Sequence, residues 1–479
     1  MLDPRYVSEG TTTSEQYLVK LARKSFLSLW CHSNIFIDRK PNKKGDGEEL
    51  CDLLVVFENH VLIFSDRHCK FKDGENVTLS WSRWYRAAVK ESVTQIIGAR
   101  NWINNNPDRL FLDPSCQRSF PLKLNPTDCR FHLIAVTRGS NSACKKYFVR
   151  ESNGSLQIDT MISNEDHGEH PFTIGRVLSE EPYIHVLDEF SLEIILHELD
   201  TIYDFVNYLE KKEKLLTHPT GHIKCRGEEQ LIAIYLTSAD TSKSHGFEAI
   251  SDNKKCVSID VGFWEFFRQS PQYLAKKLAD AKSYIWDNYI ESATRPIDAS
   301  SDGNPITDIF EVEPVLRVMA SEPRIFRRQL AQKLVEGKER TVKPGGLFLY
   351  FGHTDTFPNT AYVFLTFPCP PDINSFDKYC RIRRTLLEAC CIVYLSKLPS
   401  ALRVIGIASE PFNLQSFPEI KAFSEDLILQ HNIQGNDRQK FLLAAEELNN
   451  NFLQKQGIFF DKSFDEVTTN SEIEYEYPW

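Results

Sequence analysis

The sequence has no CxxC pair, so its twelve cysteines build neither a zinc ribbon nor a thioredoxin-like motif. No apolar run approaches ~18 residues, which leaves no segment to span a membrane as a helix. Positive charge is in deficit. Lys and Arg number 56 against 66 Asp and Glu, and the formal charge is −10, so nucleic-acid contact would need a local basic patch. GxxxxGK[ST], GxGxxG and GxSxG are all absent, which removes the P-loop, the dinucleotide fingerprint and the nucleophile elbow. His197-Glu198-Leu199-Asp200 begins like a zincin helix but lacks the second His. Residues 1–25 are polar and mixed in charge, so no signal peptide is expected. Without one, the scattered cysteines read as reduced thiols in a cytoplasmic protein. There is no internal repeat and no low-complexity run.

What is present is ordinary globular texture, 42% apolar and 25% charged, with enough aromatics (32 Phe) to fill large cores. The length allows two to four domains. Residues 1–125 form the first segment. Thr12-Thr13-Ser14-Glu15 fits a capping box opening a helix, with Leu18, Leu21, Ala22, Phe26 and Leu29 at helical spacing. Two apolar runs, Leu50–Phe57 and Val61–Ser65, flank the short turn Glu58-Asn59-His60 and read as a β-hairpin. A helical stripe follows from Trp81 to Ile103. Residues 126–240 read as a middle region, with strands at Phe131–Val136 and Lys146–Val149 and one long helix from Ser191 to Leu216. Residues 241–460 read as helical and then α/β, with a turn-rich break at Ser300–Pro305, and residues 461–479 as an acidic tail. The fold class expected is mixed α/β (α+β).

The hairpin carries the chemistry. Asp52 opens its first strand among apolar neighbours, where an idle carboxylate is costly, and Asp66-Arg67-His68 closes the second. This order resembles the PD-(D/E)xK nuclease superfamily, in particular its NERD, Mrr-like and RecB-like branches. There an Asp on one strand is followed by a strand ending in (D/E)-x-K, often with a Glu on the preceding helix and a Gln on the following one. The resemblance covers roughly residues 12–106. It implies a restriction-endonuclease-like domain in which Glu15, Asp52 and a second carboxylate hold Mg²⁺ or Mn²⁺, while Gln95 positions the water or a base.

The match departs where the family's acid and lysine stand, because those positions hold Ser65 and Arg67. Arg keeps the charge but cannot give up a proton. Three readings stay open. A bulge turns Asp66 inward as the second carboxylate, with Arg67 or His68 beside it. Alternatively Glu48 or Glu49 supplies the acid, with Glu48 in phase with Asp52 on an extended strand. Or the site is dead and the fold serves binding. The capping box by itself also accounts for Glu15.

A nuclease must hold a polyanion. Arg83, Arg86 and Lys90 ride the helix beside Trp81, Trp84 and Tyr85, a mixture suited to phosphate contact and base stacking. The function expected is metal-dependent phosphodiester hydrolysis, on DNA before RNA, with a protein partner or homo-oligomer and no membrane. Chains of this shape resemble bacterial restriction-like or antiphage (antiviral defence) effectors. The alternative is a nuclease-like fold that has lost its chemistry and acts as a binding or assembly module. A weaker third reading places a site at His353 and Asp355. The loop Glu165–His170 reads as solvated.

Overall fold

The computed structural model describes residues 10–39, 47–149, 152–180, 182–219, 221–238, 245–247, 250, 256–294, 309–339, 347–412, 426–456 and 458. The break at Ser300–Pro305 and the acidic tail lie outside these residues. The chain divides into two compact units, the first running to Lys277 and the second starting at Leu278, where the sequence places a boundary at 241.

The first unit opens with helix α1 (Thr13–Phe26), capped by Thr12 and Glu15 in the expected capping box. Strands β1 (Cys31–Ile37), β2 (Glu48–Phe57) and β3 (His60–His68) follow, then helix α2 (Val77–Tyr85). A π-turn at Arg86–Lys90 joins α2 to helix α3 (Glu91–Asn105). Strand β4 (Arg130–Arg138), helix α4 (Asn141–Phe148), strands β5 (Gln157–Ser163), β6 (Thr173–Arg176) and β7 (Ile184–Asp188), and helices α5 (Glu189–Glu198) and α6 (Ile202–Leu216) complete the layers around the main sheet. Its order is β1-β2-β3-β4-β7, antiparallel through β3 and parallel from β3 to β7. β4 pairs with β3 along its full length, so the boundary expected at residue 125 divides strands that share one sheet. Strand β8 (His222–Cys225), helix α7 (Glu228–Thr237) and strand β9 (Cys256–Ile259) follow, giving a second sheet of order β6-β5-β8-β9. Helix α8 (Phe263–Gln269) closes this unit, and the division between units falls within helix α9 (Pro271–Ala293).

Helices cover both faces of the main sheet. On one face Trp81, Trp84, Val93, Ile96 and Ile103 pack on Leu54, Val56, Val61 and Ile63. On the other, Phe26 of α1 and Phe205 of α6 meet edge-on at 4.9 Å above Phe64. Each such buried ring contributes roughly 1.5–3 kcal/mol.

Two readings of the middle region are corrected. Lys146–Phe148 is helical, the end of α4, because Ser140 to Phe148 packs through Cys144 instead of alternating faces. The expected helix from Ser191 to Leu216 is two helices. Asp188 caps the first by accepting from the Phe190 and Ser191 amides, and Thr201 caps the second after a break at Leu199–Asp200.

The second unit comprises the rest of α9, helices α10 (Ile309–Ser321) and α11 (Arg324–Glu339), strands β10 (Phe348–His353) and β11 (Thr360–Thr366), helix α12 (Phe376–Lys397), strands β12 (Arg403–Ser409) and β13 (Asp426–His431), and helix α13 (Arg438–Leu448). Its sheet runs β10-β11-β12-β13, with β11 and β12 parallel across the α12 connection. Cys390 and Cys391 are core residues of α12. Gly406 lets that helix approach β12, since a Cβ there would lie 2.6 Å from the Cys391 Sγ. The whole is mixed α/β, as the sequence implies. Among the described residues no helix is long and apolar enough to cross a membrane.

Candidate functional site

The hairpin forms where expected. β2 and β3 pair from Leu53 with Phe64 to Phe57 with His60, around the turn Glu58-Asn59. Glu58 takes a left-handed backbone there (φ 53°). β3 and β4 keep one register from His60 to His68, so β3 carries no bulge. The irregularity lies one strand away, between Ile35 and Phe36 of β1, where Leu50 is the extra residue of β2. Asn34 beside it has φ 52°. That slip changes the phase of β2. Glu49, not Glu48, therefore joins the site, while Glu48 pairs with Arg39 in solvent at 3.3 Å.

The site gathers four carboxylates around α1, β2 and β3. Glu15 is buried and takes hydrogen bonds from the Thr11 amide (2.8 Å) and hydroxyl (2.6 Å), the Thr12 hydroxyl (2.9 Å) and Asn34 Nδ2 (3.3 Å). Burial opposes its ionisation, but these bonds outweigh burial and hold it down to about 2. Asn34 Nδ2 also donates to Glu49 at 2.6 Å, tying the two acids together. The Asp52 carboxylate accepts from the Asp66 amide. Burial pushes Asp52 up to about 7 in spite of that bond, and the charges of Glu49, Glu15 and Asp66 add to the rise.

Asp66 has a fully buried side chain in a two-pronged pair with Arg138 of β4, Nε to Oδ1 at 2.8 Å and Nη2 to Oδ2 at 3.0 Å. Burial works to raise Asp66, and the guanidinium works against it. Alternation along β3 puts His68 on the same face as Asp66, with its charge felt there, and puts Ser65 and Arg67 on the other.

The opposite face receives the remaining predicted residues. Ser65 is buried and donates to Gln95 Oε1 at 2.8 Å, with Ser92 Oγ at 3.2 Å. Arg67 pairs with Glu91 of α3 at 3.1 Å. The structure thus brings Glu15, Asp52 and Asp66 together and separates Arg67 and Gln95 from them. The places expected for Arg67 beside the second carboxylate and for Gln95 as water-positioner are corrected, because both side chains lie across the sheet.

Arg83 and Arg86 are exposed, and Lys90 is held by Glu165 at 2.6 Å. The aromatic residues beside them are not a stacking platform. Trp81, Trp84 and Tyr85 are core residues, and both indoles donate to backbone carbonyls, of His167 and Cys69. In the Glu165–His170 segment, His167 is buried and stacks on Tyr85 at 4.9 Å. Its Nδ1 lies 2.7 Å from the Asn164 carbonyl, so it is structural. His353 and Asp355 are exposed at the end of β10.

An all-oxygen donor set is the right chemistry for Mg²⁺ or Mn²⁺. The fit is to an ion held by one or two carboxylates and several waters. Among the described residues, Glu15, Asp52 and Asp66 do not bring three ligand oxygens within 4.8 Å of one another, and Asp66 is already engaged by Arg138.

Sequence reasoning missed Arg138 and Asn34, which hold the cluster together, since nothing in their spacing signals contact with residues 72 and 19 positions away. It also missed a pair at the other end of β3. His60 and His132 face each other there, and burial lowers His60 and brings His132 down to about 3. The chain matches no described protein family, no curated protein and no solved structure.

Proposed function

We propose that the first unit is a metal-dependent phosphodiester hydrolase, with DNA as its first-choice substrate. The observation that carries this reading is Asp52, a carboxylate pushed up to about 7 by burial and ringed by Glu49, Glu15 and Asp66. Strongly perturbed acids with specific charged neighbours concentrate at functional sites. Bound Mg²⁺ or Mn²⁺ would acidify a water and neutralise charge on the scissile phosphate. Asp52 is the residue to hold it, with Glu15 and Glu49 alongside. Asn34 keeps those two acids in place, and Arg138 fixes Asp66 against rotation. His68 lies on the face of Asp66, beside the cluster.

The test is incubation of the full chain with plasmid, single-stranded DNA and RNA in Mg²⁺ or Mn²⁺, beside Asp52→Ala. Metal-dependent cleavage lost in the variant supports the reading. Absence of cleavage with every substrate sinks it.

One observation favours a second reading, that of a binding or assembly module without chemistry. Arg138 saturates Asp66, and Ser65 is spent on Gln95. Nucleic-acid binding equal in wild type and Asp52→Ala, with no cleavage, supports that reading.

A further inference from the structure

We propose that His60, His132 and Glu210 form a site for a transition-metal ion, Zn²⁺ by preference, separate from the carboxylate cluster. The argument starts from register. His60 opens β3 and pairs with Arg130, while Leu62 pairs with His132, so the two histidines stand on one face of adjacent parallel strands. Their rings stack with centroids 5.3 Å apart, and His60 Nδ1 lies 3.0 Å from His132 Nε2. Two nitrogens bound to one tetrahedral Zn²⁺ at roughly 2.0–2.1 Å stand about 3.3 Å apart. The rings therefore need move by only a few tenths of an ångström to share an ion.

The third ligand comes from above. α6 lies over this face, its Phe205 packing on Phe64 of β3, and Glu210 follows on the same helix. One carboxylate oxygen of Glu210 and one nitrogen of each histidine lie within 4.8 Å of one another. Glu210 is otherwise engaged only loosely, by Arg130 at 3.4 Å on the surface. Two imidazoles and one carboxylate make a borderline-soft donor set that suits Zn²⁺ and not Mg²⁺. Three protein ligands leave the fourth position open, as at catalytic zinc centres.

A further histidine stands close by on the same sheet face, outside the ligand set. His185 of β7 pairs in register with Ile134, two residues beyond His132 on the same face. It is 1% exposed, its Nδ1 has no hydrogen-bond partner among the described residues, and its Nε2 is 4.0 Å from Glu213, one helical turn beyond Glu210. A buried imidazole nitrogen without a partner is a cost that a stable core removes unless a function retains it. His60 and Asp66 are six residues apart on β3, which sets this site about 20 Å from the carboxylate cluster.

The test uses the full chain titrated with ZnCl₂ by calorimetry and with CoCl₂ by visible absorption. The expected result is one tightly held ion with the d–d bands of tetrahedral nitrogen and oxygen ligation. The site is lost in His132→Asn and in the milder, partly exposed Glu210→Gln and His60→Asn, and retained in Asp52→Ala. A thiolate-to-cobalt charge-transfer band would assign the binding to cysteines and overturn the proposal. So would unchanged affinity in the Glu210→Gln and His60→Asn variants, or no binding of either metal.

Discussion

The corner at α1, β2 and β3 of the first unit treats its carboxylates differently from the second unit. In the second unit most buried ones are matched by guanidinium groups. Asp287 sits between Arg324, at 2.7 Å, and Arg327. Arg328 holds Asp280, and Arg383 holds Asp426 at 2.6 Å. Glu322 is the exception, pushed up to about 7 by burial although the Tyr362 and Thr354 hydroxyls donate to it. In the first unit Glu15, Asp52 and Asp66 crowd around one sheet corner, with the exposed Glu49 at its rim and Arg138 as the cation buried among them. Matched pairs lock a fold. An excess of acids beyond the cations that could match them does not, because Asp52 has lost its water without recovering the cost. That asymmetry marks the corner at α1, β2 and β3 as a place to look for chemistry, and it does so without any reference to motif.

The comparison breaks most sharply at the matched pairs. Arg138→Ala leaves Asp66 buried and uncompensated, and should cost about 3–5 kcal/mol in urea unfolding of the first unit. Asp287→Ala should cost the second unit a similar amount, stranding two arginines. If Arg138→Ala proves neutral, Asp66 was never part of the structural framework, and the contrast between the units collapses.

Asp52→Asn should move stability the other way. With the carboxyl raised from 3.8 to about 7, the folded chain holds a proton that the unfolded chain has released. Asp52 therefore lowers stability as pH rises from about 4 to about 7, and the deficit stays constant above that. The variant should gain over wild type, with a urea-midpoint difference larger at about pH 8 than at about pH 5. A difference that shrinks with pH would mean that Asp52 is ionised and satisfied in the folded protein.

Smaller effects sharpen the contrast between the two faces of the hairpin. Ser65→Ala removes a buried donor to Gln95 and should cost about 1 kcal/mol in urea unfolding while leaving any cleavage intact. Loss of cleavage without loss of stability would return the opposite face to the site. Glu91→Ala, which frees Arg67 at the surface, should change stability by ~0–1 kcal/mol and leave cleavage rates unaltered.

Local rules made much of this legible. The capping box at Thr12–Glu15, the hairpin at β2 and β3, and the long helical stripes of α3 and α12 follow from spacing that contacts within a few residues enforce. The misreadings came where spacing is ambiguous. Lys146–Val149 is short and apolar enough to pass as a strand, and Leu199-Asp200-Thr201 carries no Gly or Pro to announce a helix break. The site was half legible. Glu15, Asp52 and Asp66 could be nominated because polar residues at the ends of apolar strands are conspicuous.

The sequence by itself determined the elements, the mixed α/β class and the acids that head the list of candidates, because helix caps, strand alternation and turns are settled by neighbours in the chain. Tertiary structure alone decided which acids meet. The extra residue Leu50 in β2 exchanged Glu48 for Glu49. The unbroken register of β3 with β4 delivered Arg138 to Asp66 and turned Arg67 and Gln95 to the far side. Pairing across a sheet and the phase of a strand depend on contacts between residues tens of positions apart. Spacing along one strand contains no trace of them.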